Sequence, residues 1–415
     1  MKQLSLISLA FLLILLSTPD QAQGRENSNA LSRLSAGDVQ AEIDSLLKRV
    51  EELEKSKLPD WVSKFTFKGD LRYRYEMYNT ENDTNSRVNR NRIRARLFIG
   101  AEVNDHVDVG IQVASGTDDP VSSNQTLGNG WTSKDLWIDL AYFDWHPLGT
   151  QGSWGIHVVG GKMKTPFRVM SKSELIWDPD LRPEGIAVAF TGDMDSVSVF
   201  GSAGGFYVQE KHGKTHGNTT KTEDVGLFGA QLGLIVPAGD TELTFGAGLY
   251  DYGNVKGAAA LYDDDASGNL STVVNGTTIL LEDYNLMEYF AEIALKAGDL
   301  PVALFGNYVN NLAATREDKG YLGGVKIGKT KKPNTWDVRY QYKRLERDAA
   351  LGAFTDSDFG GGGTNTKGHE LNVNYMLAEN WKLGLTYFMN TKHLDDVHRA
   401  DRDYERFQFD LNFVF

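Results

Sequence analysis

From Lys64 onward the chain alternates. Phe65, Phe67, Gly69, Leu71, Tyr73, Tyr75 and Met77 are apolar or small, and Lys64, Thr66, Lys68, Asp70, Arg72, Arg74 and Glu76 stand between them. After a polar stretch the pattern resumes with Ile93, Ala95, Leu97, Ile99, Ala101 and Val103, with Arg92, Arg94, Arg96 and Glu102 among the intervening residues. A period of two sends successive side chains to opposite faces of a strand, so this stretch predicts a hairpin with one apolar and one charged face. At roughly thirteen residues these strands are long for a soluble sheet, where five or six is usual. A tilted strand needs about ten residues to cross a bilayer. If the apolar face meets lipid and the charged face a wet lumen, a one-residue slip turns five arginines outward. At about 2–4 kcal/mol each near the midplane, even partial exposure costs on the order of 10 kcal/mol, so the register is strongly specified. The alternative for this hairpin alone is an antiparallel sheet with one face on a soluble core.

The rest of the chain favours the membrane. About sixteen strand patterns follow one another to the C-terminus, Tyr284–Ala297 and Trp381–Lys392 among them, and an even count lets both barrel ends lie on one side. Short connections such as Asn104-Asp105, Gly298-Asp299-Leu300 and Ala378-Glu379-Asn380 alternate with long polar ones such as Gly116–Ser133, Lys164–Glu184 and Gly253–Asp283. Short turns on one side and long loops on the other are a barrel property that a sandwich has no reason to copy. The predicted fold is an all-β transmembrane barrel of about sixteen antiparallel strands over residues 60–415, preceded by a short α-helical coiled coil.

Composition narrows this further. A mean hydropathy of −0.37 and no apolar run of 20 residues argue against helical membrane spans. A formal charge of −13 disfavours nucleic acid as a partner and fits acidic loops around a solvated lumen. The absence of cysteine removes disulfides, thiol chemistry and the commonest structural zinc ligands.

The N-terminus carries a different message. Lys2 followed by the apolar run Leu4 to Leu16 and the small-residue stretch Ala22-Gln23-Gly24 predicts a secretory signal over 1–24. A linker over 25–38 leads to a heptad seam over 39–58, where Val39, Ile43, Leu46, Val50 and Leu53 are spaced 4-3-4-3. So short a coiled coil is marginal alone, and it predicts a segment tethered to an oligomer, a homotrimer if the barrel forms, with the seam in the periplasm. An amphipathic helix packed on its own chain is the alternative.

The final residues Phe407, Phe409, Leu411, Phe413 and Phe415 alternate and end on an aromatic, which resembles the signal read by the outer-membrane barrel-assembly machinery. Gly161-Lys162-Met163-Lys164-Thr165-Pro166-Phe167 resembles the start of the long third loop of porins. Together these features resemble the outer-membrane porins of Gram-negative bacteria, related to the general and phosphate-selective trimeric porins, over residues 60–415. The resemblance implies a water-filled channel for small hydrophilic solutes and ions, set in outer-membrane lipid, with a third loop narrowing it. By that resemblance Arg72, Arg74, Arg92, Arg94 and Arg96 form a basic wall. Lys164, Arg168, Lys172, Glu174, Asp178, Asp180, Arg182 and Glu184 belong to the constriction loop, with Glu174, Asp178, Asp180 and Glu184 facing the arginines. A weak anion preference follows. The same arginines could instead pair with Asp70, Glu76 and Glu102 and only hydrate the wall.

Several motifs carry no chemistry. Gly323-Gly324-Val325-Lys326-Ile327-Gly328-Lys329-Thr330 matches a phosphate loop, but Tyr321, Gly323, Val325 and Ile327 continue a strand pattern and no helix signal follows. Asp263-Asp264-Asp265 lacks EF-hand spacing. The eight histidines show no HExxH, and His212 and His216 sit in a polar loop. No GxSxG elbow is present. No catalytic, cofactor or metal residue is assigned. Two rival functions remain: a non-conducting adhesive barrel that works through its loops, and a barrel hydrolase.

Overall fold

The computed structural model describes residues 60–81, 87–149, 153–210, 223–393 and 401–415, with Ser45 and Lys48 singly. The signal segment, the linker and the heptad seam at Val39, Ile43, Leu46, Val50 and Leu53 lie outside the described residues, as do His212 and His216. The chain divides into two compact units, Met1–Ser63 and Lys64–Phe415. In the first, Asp60–Ser63 is a single helical turn.

The second unit is one closed antiparallel sheet. Its sixteen barrel strands are β1 (Phe65–Thr80), β2 (Arg87–Asn104), β3 (Val107–Ser115), β4 (Leu136–Trp145), β5 (Trp154–Lys162), β6 (Glu184–Met194), β7 (Val197–Gln209) and β8 (Val225–Ala238), followed by β9 (Thr241–Gly253), β10 (Tyr284–Ala297), β11 (Leu300–Asn311), β12 (Lys319–Gly328), β13 (Trp336–Leu345), β14 (Thr366–Ala378), β15 (Trp381–Lys392) and β16 (Arg402–Val414). Each pairs with its neighbours in sequence, and β1 pairs with β16 from Asp70 opposite Val414 to Thr80 opposite Tyr404. Closure leaves no open edge, which the bilayer demands because lipid cannot satisfy a free N–H or C=O.

The alternation of connection length is less regular than the sequence pattern predicts. Residues 146–153 and 329–335, at the end that carries the barrel's termini, are as long as 312–318 at the opposite end. Two excursions were not foreseen: Gln125–Thr126 adds to β2 beside Arg92 and Ile93, and Ser271–Val274 pairs with Thr277–Leu280 inside loop 254–283. Each is too short to carry a periodic signal. The phosphate-loop look-alike ends β12 and runs on to β13, with no helix after it.

The burial pattern is that of a soluble protein turned inside out. Phe67, Leu71, Ile99, Ile111, Ile138, Phe228, Leu232 and Leu304 are exposed, while Arg74, Glu76, Glu288, Gln341, Lys343 and Arg406 are buried. Exposed Trp145, Trp154 and Trp336 stand at strand ends, where amphipathic rings meet the membrane interface. The seam between β1 and β16 is finished by Phe415, whose N–H and C=O bond Gly69 at 3.0 and 2.8 Å. A Cβ at Gly69 would collide with the Phe415 ring, so only glycine lets that ring lie across the first strand. We expect Gly69→Val to destabilise the barrel by about 1–3 kcal/mol, as overpacking does. The shift would be read as a lower temperature for loss of the heat-modifiable folded band on a gel.

Candidate functional site: the charged lumen

The five arginines predicted for the wall do face inward, but β1 and β2 set like against like: Arg72 lies opposite Arg94, and Arg74 opposite Arg92. Adjacent cations on one face repel, so each needs a carboxylate or another acceptor. Asp70 supplies two of them, accepting from Arg94 at 2.8 Å and Arg96 at 2.7 Å. Glu76, fully buried, takes Arg90, Arg92 and Arg406. Arg74 makes a bidentate pair with Asp410 at 2.7 and 2.8 Å and reaches Asp358 at 3.0 Å. Arg72 bonds the Asn124 side chain, and Arg92 the Asn124 carbonyl at 3.2 Å. Of the acids named from sequence, Asp70 and Glu76 are therefore partners. Glu102, exposed near the end of β2, is not paired with any of the five.

The loop 163–183 folds into the barrel and spans it. Gly161, at φ +119°, turns the chain inward where a side chain would strike the Ala141 carbonyl, and Gly185 lets it rejoin the wall beside Gly205. Met163, Phe167, Met170, Leu175, Ile176, Trp177 and Leu181 bury themselves against inward-facing Phe206, Leu227, Tyr250, Leu286, Phe305 and Leu345. Half of the lumen is thus a packed apolar core, and the other half stays polar. Backbone and side-chain bonds pin the loop all round: Arg168 N–H to Gln231 at 2.8 Å, Ser171 to Glu292 at 2.5 Å, and the Lys172 carbonyl to Arg339 at 2.8 Å.

The loop's acids scatter. Asp180 faces the arginines, 3.5 Å from Arg96, and accepts from Ser123 N–H and Oγ at 3.2 and 2.9 Å. Burial would raise its pKa, but Arg94, Arg96 and Arg182 together hold the carboxyl below its usual range. Glu174 and Asp178 do not face the ladder. They converge with Asp356 of loop 346–365, their carboxylates within 4.8 Å of one another. Lys343 pairs with Asp356 at 3.1 Å and donates to the Glu174 carbonyl at 3.2 Å. Glu184 turns to Lys162 on the opening of the loop, at 2.6 Å. The expectation that all four acids oppose the arginines is corrected: three are drawn off by apolar packing of the loop and by nearer cations.

Loop 346–365 also enters the lumen, which no periodic signal foretold. Asp358 accepts from Arg74, Arg406 and Gln408, and the two guanidinium groups, Arg406 first, together with the Gln408 hydrogen bond hold its carboxyl far below the usual range against the opposing effect of burial. Asp358 thus covers Arg74; Arg72 and Arg92 are held by Asn124 of loop 116–135, and Arg94 and Arg96 line open space.

Two cavities are of interest among the described residues. One of about 950 Å³ is lined by Lys68, Arg94, Arg96, Lys164 and Lys382, with Asp70, Asp144 and His157. Burial, then repulsion from Arg182 and Arg96, pulls the Lys164 ammonium below the usual lysine range. The other, of about 380 Å³ toward the long loops, is lined by Asp118, Asp119, Asp139, Asp180 and Arg182 beside Trp177 and Phe206. The pair Arg96–Asp180 at 3.5 Å links the two linings, and Arg182–Asp139 at 3.2 Å lies in the lining of the smaller cavity. No local pattern marks Asp139, Asp358, Asp410 or Arg406, because each meets its partner only through strand pairing or a loop turning inward.

A closed sixteen-stranded barrel with a long third loop folded through its lumen defines a transmembrane barrel of porin architecture. The model of the family described as "Putative porin" matches residues 76–278 and 279–415, and the chain belongs to that family. The barrel of Pseudomonas putida OprB is similar at 12% identity, covering 89% of this chain and 96% of that one with a TM-score of 0.53, a likeness of fold. Vibrio cholerae OmpT in its trimer form aligns at 14% identity over 85% and 99% of the two chains, TM-score 0.46. Salmonella typhi OmpF in complex with daunomycin aligns at 10% over 85% and 97%, TM-score 0.47. A search of curated protein sequences gave no match. Family and barrel together make this an outer-membrane protein.

Burial, then the negative charge of Asp356 and of Asp178 or Asp180 nearby, pushes the Glu174 and Asp178 carboxyls well up. A raised carboxyl takes up its proton more readily in the folded state, so stability is fully present below the unfolded value near about pH 4 and is lost as pH rises through the folded value. The thermal midpoint of the detergent-solubilised barrel should therefore be higher at acidic than at alkaline pH. The Glu174→Gln/Asp178→Asn variant should flatten that dependence. Removing the buried Arg406 as Arg406→Met, which takes one cation from each of Glu76 and Asp358, should lower stability by about 3 kcal/mol by denaturant titration.

Proposed function

We propose that this protein is a porin through which small hydrophilic solutes and ions diffuse passively, with a preference for anions. The observation that carries the reading is the basic cavity. Lys68, Lys164 and Lys382 line it together with Arg94 and Arg96, and among the described residues none of these three lysines has an ion-pair partner. The acids on its wall are already engaged, Asp70 by two arginines and Asp144 by His157. A cavity of one sign with low-dielectric walls concentrates counter-ions, so anions collect there.

In this reading the constriction is the partition of Arg96, Asp180, Arg182 and Asp139, and Asp180 is the loop residue that sets the transverse field. A solute exchanges its water shell for these fixed donors and acceptors, and each is too well paired to hold it for long. The long loops face outside and the termini face the periplasm. Residues 1–24 serve export, the seam from Val39 to Leu53 joins three copies of the chain in the periplasm, and Phe415 is read by the assembly machinery. The barrel then acts as a channel, with no catalytic step.

One observation favours a second reading. Loops 163–183, 254–283 and 346–365 contribute to a single apolar cluster that fills half of the lumen. A barrel so filled could be electrically silent and act through its outer loops.

Planar-bilayer recording under a KCl gradient separates the two. The porin reading expects ohmic steps in threes and a reversal potential of the sign set by chloride. Lys68→Gln/Lys164→Gln/Lys382→Gln should reduce the chloride-to-potassium permeability ratio several-fold. Protein that inserts without conducting would overturn the channel and leave the loop reading standing.

A further inference from the structure

Three histidines far apart in sequence meet at the termini end of the barrel. His106 lies in the β2–β3 turn, His146 follows β4, and His157 is on β5. Strand pairing brings them together: Val107 lies opposite Trp145, Asp108 opposite Asp144, and Trp145 opposite Val158. The His146 N–H donates to the His106 carbonyl at 2.9 Å. The His146 ring centre is 6.4 Å from that of His106 and 5.9 Å from that of His157.

The three rings are not equivalent. His146 is 3% exposed, and neither of its ring nitrogens makes a hydrogen bond. The Asp108 carboxylate is 3.5 Å from its Nε2 without hydrogen-bond alignment. A buried imidazole with two idle nitrogens is unusual, because a buried polar group normally has a partner. The flanking rings have one engaged nitrogen each. His157 Nδ1 lies 3.0 Å from both Asp144 oxygens, and His106 Nδ1 lies 3.2 Å from the His146 carbonyl. Those oxygens only accept, so Nδ1 carries the proton in both rings and the lone pair is on Nε2. A carboxylate or a backbone carbonyl holding the second nitrogen is the arrangement that fixes the tautomer of a metal-bound histidine.

We propose that His106, His146 and His157, with Asp108 as a further donor, bind a first-row transition-metal ion such as Zn²⁺, Cu²⁺ or Ni²⁺. Imidazole suits these ions, whereas Ca²⁺ and Mg²⁺ require a shell of oxygens. Two imidazoles sharing one tetrahedral ion have ring centres about 5 Å apart. The observed spacings are about 1 Å longer, and exposed His106 and half-exposed His157 close them by small swings about the hydrogen bonds at their Nδ1 atoms. Buried His146 is the fixed ligand, and Asp144 positions His157 without touching the ion. Because His157 and Asp144 also line the larger cavity, the ion adds positive charge where the channel's counter-ions collect.

The test uses the full, tag-free protein folded in detergent, with its heat-modifiable band as proof of folding. After equilibrium dialysis against Zn²⁺, the metal bound per chain is measured, and the Cu²⁺ form is examined by electron paramagnetic resonance. We expect one ion per chain and nitrogen splitting from imidazole. His146→Ala should abolish binding, and Asp144→Asn should weaken it about 10–100-fold. His157→Gln, at a half-exposed position that tolerates change, should remove one nitrogen from the splitting if His146→Ala fails to fold. A His212→Ala/His216→Ala variant should bind as the parent does. Metal uptake that is absent, uptake unchanged in the His146→Ala variant, or nitrogen splitting unchanged in the His157→Gln variant overturns the site. The readout is binding, so a protein that takes up the ion but never conducts would overturn the channel and leave this site intact.

Discussion

Lipid offers a backbone no hydrogen bonds, and that single constraint organises the molecule. It forces β1 onto β16 and fixes the pairing of every strand between them. Once pairing is fixed, parity is fixed: alternate side chains must go to lipid or to the lumen, with no third choice. On β1 and β2 the apolar residues are spent outward, so that side of the interior receives arginines, carboxylates and amides in numbers a soluble core never holds. Those groups must then be reconciled with one another.

The reconciliation is done largely by loops. Arg74 and Arg406 converge from neighbouring strands, and Asp358, brought from a loop, sits between them. Asp180 does the same for Arg94 and Arg96 from the opposite side. A buried ion pair is weak as a source of stability but expensive to break, because its desolvation has already been met. The wall charges therefore determine where the loops can rest, and both cavities are bounded by residues so placed. The apolar side chains from Met163 to Leu181 pull the third loop toward one half of the barrel, which keeps the polar half open.

What was legible in the sequence follows from the range of each signal. Alternation is local, and Phe65 to Met77 betrays its strand within a few residues. The boundaries of β10 and β15 are those the alternation predicts, whereas β2 begins at Arg87, six positions before the alternation resumes at Ile93. The inward third loop was legible only through resemblance, at Gly161 to Phe167. The site was less so. Arg74 and Asp410 are separated by 336 positions, and nothing local marks them as partners. Charge alone assigns Glu174 and Asp178 to the arginines, whereas the apolar Leu175, Ile176 and Trp177 between them decide the loop's orientation. The three histidines seemed scattered because only sheet register, which no short window contains, sets them side by side.

The contact of Phe415 with Gly69 bears on how such a chain comes to fold. The first and last strands of the sheet are the pair that completes it, so the decisive contact is also the most distant along the polymer. Topologies dominated by distant contacts form slowly, since chain entropy must be surrendered before those contacts give anything back. Until the seam is made, both outer strands present unpaired edges, and every growing intermediate is a template for the wrong partner. The route to the native state is thus a race between one far-off pairing and many near ones, and the glycine that admits the last ring stands at its finishing line.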